Sequence, residues 1–181
     1  MADERTRALR AVAHPVRLRI LSLLTGTAMS AADVARELEL THANASYHLR
    51  LLLDAGRIVE AGEERIRGGV AKRYRYPHEA DLRATDARQR PITGEDRALF
   101  ARAFSAELER RLLAPGVVRV QNSDLEGWVS PAAWERARAL LLEASALLHD
   151  ANRPPRTADT VHISFTTWAF EMGRPAAAVE S

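Results

Sequence analysis

The sequence predicts a mainly α-helical protein with a β-hairpin in its first half and an α+β module in its second half. Three observations lead to this fold class. Apolar residues recur at helical spacing in several segments, the stretch 71–76 alternates as a strand does, and Gly68-Gly69 marks a turn before it. The chain has 181 residues, of which 46% are hydrophobic, and this is enough to bury a core in one or two domains.

The first half contains the start signals of several short helices. Pro15 suits the first position of a helix and separates it from an earlier one. Ser30 and Asp33 have the spacing of a capping box, and Thr41 is placed to cap the next helix. Two helices joined by so short a turn have to cross, so the spacing predicts a helix-turn-helix.

A β-hairpin is predicted directly after these helices. Ile58-Val59 begins an extended run, Gly68-Gly69 forms the turn, and Tyr74 and Tyr76 fall on one face of the returning strand. A hairpin in this position is a wing. Residues 1–77 are therefore predicted to form a winged helix-turn-helix DNA-binding domain.

The second half is predicted to be a separate α+β module at 94–181, after a polar connector at 78–93. Thr93 and Ser130 each precede a long amphipathic helix, the first ending near Leu113. Val117, Val118 and Val120 suggest a strand running towards Trp128, and the apolar, β-branched and aromatic residues of 160–170 predict a second strand. The stripe expected to be buried on the second helix contains Trp134, Ala137, Leu141, Ala144 and Leu148.

Composition excludes several classes of protein. The chain has no cysteine, and therefore no thiolate metal site. Its six histidines are scattered, and no GxSxG, HExxH, GxGxxG or GxxxxGK motif occurs, so we expect no enzyme, no metal site and no cofactor. No apolar run reaches the roughly 18 residues of a membrane helix, and the start is charged, so we expect a cytoplasmic protein. Residues 1–77 hold 13 basic against 9 acidic residues, an excess compatible with nucleic-acid binding.

The stretch THANASYHLRLLLDAGRIV at 41–59 predicts a helix that touches a ligand on one face. With Ala45 at the centre of its inner face, the opposite face carries small and polar side chains. Asn44 has the bidentate geometry to read adenine and Arg50 to read guanine, and Ala43 allows close approach to the major groove. A solvated amphipathic helix is the alternative for this stretch alone, but the preceding helix and the following hairpin favour DNA recognition.

The sequence from Leu9 to Tyr76 resembles the winged-helix repressors of the ArsR type, in the branch with an added C-terminal region. The resemblance rests on AHPVRLRIL at 13–21, Ser46-x-His48-Leu49, and Ala55-Gly56 followed by Ile58-Val59. It implies a dimeric transcriptional regulator, usually a repressor released by a ligand. Glu39 stands where the family commonly has a glycine in the turn, and the family's metal-binding cysteines are absent.

The candidate DNA-binding residues follow from the helix face, the hairpin and the resemblance. The helix is expected to choose the operator, and the basic residues of the hairpin are expected to supply salt-dependent affinity. His48 has two interpretations, a contact to phosphate or a packed histidine bonded to the backbone. The set comprises Thr41, His42, Asn44, Ser46, Tyr47, His48, Arg50, Arg65, Arg67, Lys72, Arg73 and Arg75.

The expected partners are double-stranded DNA with a palindromic operator, a second copy of the chain, and a small organic effector. The first helix and the helix starting at 94 are the candidate dimer contacts. An effector pocket walled by Trp128, Trp134, Phe165 and Trp168 is one hypothesis, and ordinary aromatic packing is the other. Two further functions stay open: a winged-helix protein-interaction module without DNA binding, and a metal-responsive regulator with nitrogen and oxygen ligands.

Overall fold

The computed structural model describes residues 7, 9–66, 69–77 and 93–172. Its helices are α1 (Pro15–Gly26), α2 (Ala31–Leu38), α3 (His42–Asp54), α4 (Gly94–Leu112) and α5 (Pro131–Ala151), and its strands are β1 (Met29–Ser30), β2 (Val59–Ile66) and β3 (Gly69–Arg75). Residues 9–12 are also helical. The predicted fold class, mainly α with a winged helix-turn-helix, is confirmed. In the part of the chain described, no helix combines the length and the apolar character needed to cross a membrane.

The helix-turn-helix is formed by α2 and α3. At the start of α2 the Ser30 hydroxyl accepts a hydrogen bond from the Asp33 N–H, and the Asp33 carboxylate accepts one from the Ser30 N–H. At the start of α3 the Thr41 hydroxyl accepts a hydrogen bond from the Asn44 N–H at 3.2 Å. Both predicted caps are therefore confirmed, and they fix where the two helices begin.

The turn between these helices has a strained residue. Glu39 ends α2 in the left-handed region, with φ 56° and ψ 43°. A side chain with a Cβ is disfavoured there by about 1–2 kcal/mol, whereas glycine carries no such penalty. Glu39 thus occupies a position whose backbone conformation favours glycine.

Glu39→Gly is expected to stabilise the protein. Relief of the left-handed strain outweighs the greater freedom of glycine in the unfolded chain, leaving a gain on the order of 0.5–1 kcal/mol. Urea unfolding followed by circular dichroism measures it. Glu39→Ala is the control, because alanine removes the charge but keeps the Cβ. An equal gain in Glu39→Ala would assign the effect to charge instead.

The end of α3 sets the direction of the wing. The Arg57 N–H donates to the Leu52 carbonyl and the Gly56 N–H to the Leu53 carbonyl, with Gly56 at φ 65°. This is a Schellman ending, and it requires the positive φ that glycine adopts readily. The predicted stop at Gly56 is confirmed. The chain then enters β2 of an antiparallel sheet with strand order β1-β3-β2.

The hydrophobic core lies between α1, α2, α3 and the base of the sheet. Its fully buried large side chains are Ile20, Leu24, Val34, Leu49, Leu52 and Ile58. Tyr74 and Tyr76 pack against this core from the same side, as predicted, and the Tyr76 N–H donates to the Leu24 carbonyl at 3.0 Å. The hairpin is therefore fastened to α1 at the end of β3.

Helix α4 packs on the first half of the chain through α1. Its Asp96 is buried and accepts a hydrogen bond from Arg10 Nε at 2.7 Å; this bond and one from the Thr93 hydroxyl hold the pKa of Asp96 below its usual value. Farther along, buried Glu107 accepts hydrogen bonds from Arg110 and Arg111. Burial raises the pKa of Glu107, but these bonds lower it by more, so the carboxylate stays charged.

The C-terminal half differs from the sequence prediction at two points. Residues 117–130 and 158–172 contain no strand in the structure, although both were expected to. Helix α5 forms as predicted, but its apolar stripe is not buried. A strand needs a neighbouring strand with which to form backbone hydrogen bonds. Neither segment has such a neighbour among the described residues.

Candidate nucleic-acid interface

The outer face of α3 carries the side chains that the sequence assigns to base reading. His42, Asn44, Tyr47 and Arg50 are exposed, while Ala45, Leu49 and Leu52 on the opposite face are buried. Tyr47, the one large aromatic residue on this face, is 52% exposed. The predicted division of the helix into two faces is the one that the structure has.

Most polar side chains on this face make few or no hydrogen bonds to other described residues. Arg50 makes one long hydrogen bond, from Nε to the Ser46 carbonyl at 3.4 Å, and forms no ion pair with any described residue. The Asn44 side chain has no hydrogen-bond partner in the described part of the chain. Thr41, by contrast, uses its hydroxyl oxygen to cap the helix. The Asn44 amide, as donor and acceptor, and the Arg50 guanidinium, as donor, are thus available to a ligand.

His48 lies on the inner side of the helix and not on the exposed face. It is only 5% exposed, and its ring packs 5.0 Å from the ring of His14 and 5.3 Å from that of Tyr47. Of the two interpretations of His48, this burial favours the packed histidine over a contact to phosphate. The expected backbone bond is not found at Nδ1, which has no hydrogen-bond partner in the described chain.

His14, Arg17 and His48 form a cluster beneath the first half of α3. His14 also caps α1, because its Nδ1 accepts a hydrogen bond from the Val16 N–H at 3.2 Å. Burial lowers the pKa of His14 and the Arg17 cation lowers it further. Burial likewise lowers the pKa of His48, with added repulsion from His14 and Arg17. Sequence reasoning missed this cluster because its members come from two different helices.

Acidification is expected to destabilise the fold through this cluster. Both histidines are held neutral in the folded state, so the unfolded chain takes up protons first as the pH falls below the ordinary histidine value of 6.5. The stabilisation is present above that pH and is lost below it. Thermal unfolding between about pH 7.5 and about pH 5.5 should therefore show a falling midpoint.

His14→Asn is the matched variant for this titration, since asparagine can still cap α1 but does not take up a proton. Its midpoint should fall less over the same range. Equal losses in the two proteins would show that the His14 and His48 pair does not cause the pH dependence.

The basic residues of the wing are less available than the sequence suggests. Lys72 Nζ lies 2.7 Å from Glu60 Oε1, and Arg73 Nη1 lies 2.6 Å from Glu64 Oε2. Arg73 also donates to the Ala28 carbonyl, which fastens β3 to the segment before β1. These contacts give Arg73 a structural role at the base of the wing.

The other predicted wing residues lie in three different settings. Arg65 is exposed on β2 and has no ion-pair partner among the described residues. Arg75 is half-buried near the end of β3. Arg67 lies outside the described residues. Arg65 is therefore the described wing residue best placed to meet a phosphate.

Arg65→Ala is expected to reduce affinity for all duplexes and to flatten the slope of log K against log salt by about 0.9, the loss of one phosphate contact. Fluorescence anisotropy across a salt series measures both quantities. Lys72→Ala serves as the control, and its smaller effect reflects the competing Glu60 carboxylate. A larger change of slope in Lys72→Ala would contradict this assignment.

The four aromatic residues proposed as pocket walls do not share one setting. Trp128 is 91% exposed, so it does not line an enclosed pocket formed by the described residues. Trp168 packs against Phe100 and Phe104, with ring centroids 5.6 and 5.3 Å apart. Trp134 Nε1 donates to Glu171, and Phe165 is 40% exposed. For Trp168 this is the ordinary aromatic packing that the sequence left open.

Comparison with known proteins bears on the first half of the chain. Residues 12–60 match a family model described as a helix-turn-helix domain. No curated protein shows a significant match to the chain. The matched range contains α1, α2 and α3 and ends at the beginning of β2. Residues 12–60 are thus a helix-turn-helix domain, the kind of domain that points to DNA binding and transcription regulation.

Proposed function

We propose that the protein is a sequence-specific transcriptional regulator that acts as a homodimeric repressor and is released by a small organic ligand. The observation that carries this proposal is the exposed face of α3, with Asn44, Tyr47 and Arg50 directed away from the core. A helix fits the major groove of B-DNA, which is about 12 Å wide. Asparagine and arginine are the side chains that read adenine and guanine there.

The supporting elements hold this face in a defined position. The crossing helix α2 is joined to α3 through residues 39–41, and the core side chains Leu49 and Leu52 fix the rotation of α3 about its axis. The wing begins three residues after Gly56 of the Schellman turn, and its exposed Arg65 lies on β2. Base reading by α3 and phosphate contact by the wing are the two parts of the proposed interface.

A dimer is proposed because one recognition helix reads too few base pairs for a unique site. Two copies related by a two-fold axis read half-sites about 34–36 Å apart, and their operator is then palindromic. Repression and release by a ligand are proposed from the resemblance to ArsR-type regulators. The absence of cysteine from the sequence favours an organic ligand over a metal held by thiolates.

Selection from a random pool of double-stranded DNA tests this function. The purified full chain is mixed with the pool at near-physiological salt, and the bound duplexes are sequenced. We expect enrichment of a two-fold-symmetric motif with half-sites one helical turn apart. A pool recovered without enrichment, while the protein stays folded, would contradict the proposal.

A further inference from the structure

The C-terminal half presents an apolar surface that no residue in the described part of the chain buries. We define the C-terminal apolar surface as residues 117–129 and 160–170, which belong to no helix or strand, together with the exposed leucines of α5. Most of the exposed large hydrophobic side chains of the described chain belong to it. Its most exposed members are Val118 (88%), Leu125 (79%), Trp128 (91%) and Val161 (83%).

Residues 160–170 also lack backbone hydrogen-bond partners among the described residues. A strand with a free edge is normally protected by charged residues, proline or a covering element. The sequence TVHISFTTWAF at 160–170 contains no Asp, Glu, Lys, Arg, Pro or Gly. The segment therefore lacks the charged residues and proline that prevent a free edge from pairing with another strand.

One side of this segment is nevertheless fixed in place by its own chain. Trp168 packs on α4 against Phe100 and Phe104, and the Arg111 guanidinium donates to the Ser164 hydroxyl at 3.3 Å. Near its end, Trp134 Nε1 donates to Glu171 Oε1 at 2.7 Å. These side-chain contacts hold the segment against α4 and α5 and use none of its backbone N–H or C=O groups.

The chemistry of this edge fits a second copy of the chain. In a two-fold-symmetric antiparallel pair, a strand meets its own sequence, and a charged strand then places like charges side by side. Residues 160–170 have no formal charge, so self-pairing brings no such repulsion. Helix α4 offers less for this purpose, since Trp168 already covers Phe100 and Phe104, and Ala103 is buried.

We propose that a second copy of this chain covers the C-terminal apolar surface, with residues 160–170 pairing as a strand of an intermolecular sheet. The exposed leucines of α5, Leu140 (48%) and Leu147 (67%), lie two turns apart and pack in the same interface. The strands that the sequence predicts at 117–128 and 160–170 are then formed between copies. This inference rests on one part of the proposed function, the homodimer. Its test uses no DNA, so it does not depend on DNA recognition.

The first experiment is sedimentation equilibrium of the full chain at micromolar concentration. We expect the mass of two 20.1 kDa chains. Ile163→Lys places a charge in the pairing segment at a side chain that is 52% exposed in the single chain, so it should weaken the dimer at least tenfold. Val70→Lys, at a 57% exposed position on the wing, makes the same substitution and should leave the dimer intact.

The second measurement is hydrogen exchange of the unmodified protein. It does not depend on the variant, so it can be made even if Ile163→Lys fails to fold. The amides of 160–170 should exchange slowly, although no described backbone group of the same chain accepts from them. A mass of one chain, or rapid exchange throughout 160–170, would overturn the proposal. So would a folded Ile163→Lys protein that dimerises as tightly as Val70→Lys. A dimer in which the amides of 160–170 exchange rapidly would leave the proposed homodimer standing and overturn this surface alone.

Discussion

Asn44→Ala and Arg50→Ala are each expected to remove discrimination at one position of each DNA half-site. A bidentate side-chain contact to a base contributes about 1–3 kcal/mol of preference over the wrong base, or roughly 5- to 150-fold. Both side chains lie on the exposed face of α3 and away from the core, so the variants should fold normally. Repeating the DNA selection with each variant should yield a motif degenerate at the lost position.

Arg102→Ala separates base reading from simple loss of charge. Arg102 is exposed on α4, and its replacement removes the same single positive charge as Arg50→Ala. We expect an unchanged motif from it. If Arg50→Ala and Arg102→Ala altered the selected sequences alike, Arg50 would not read a base.

Leu52→Ala is expected to destabilise the protein by about 2–5 kcal/mol, the cost of a large cavity in a packed core. Leu52 is fully buried on the inner face of α3, and its carbonyl also accepts the Arg57 N–H that ends this helix. The loss is a large share of the total stability of a small domain. Urea unfolding followed by circular dichroism measures it.

Val70→Ala is the control, because Val70 is 57% exposed on the wing and loses little burial when truncated. Its free energy of unfolding should change by less than about 0.5 kcal/mol. Similar losses in Val70→Ala and Leu52→Ala would contradict the location of the core.

The parts of the fold that depend on local chemistry were predictable from the sequence. The caps at Ser30, Thr41 and Ser130 and the stop at Gly56 depend on residues three to five positions apart, and all four are confirmed. The division of α3 into two faces follows from its period of 3.6 residues. In this way the local pattern predicted both the helix-turn-helix and the surface that it exposes.

Features that join distant parts of the chain were not predictable in this way. His14 meets His48 only because α1 and α3 cross, and the pairing of Lys72 with Glu60 depends on the register of β2 and β3. The strand patterns at 117–128 and 160–170 did not show that these segments lack a strand partner among the described residues. The periodicity of a segment indicates which secondary structure it favours, but not which other segment it packs or pairs with.

Methylation interference on the selected duplex tests the central claim, that α3 reads bases in the major groove, most directly. Dimethyl sulfate methylates guanine N7 in the major groove and adenine N3 in the minor groove. We predict that N7 methylation blocks binding at two positions related by the motif's two-fold axis and about one helical turn apart. Interference confined to adenine N3, or absent at every guanine of both half-sites, would contradict the account.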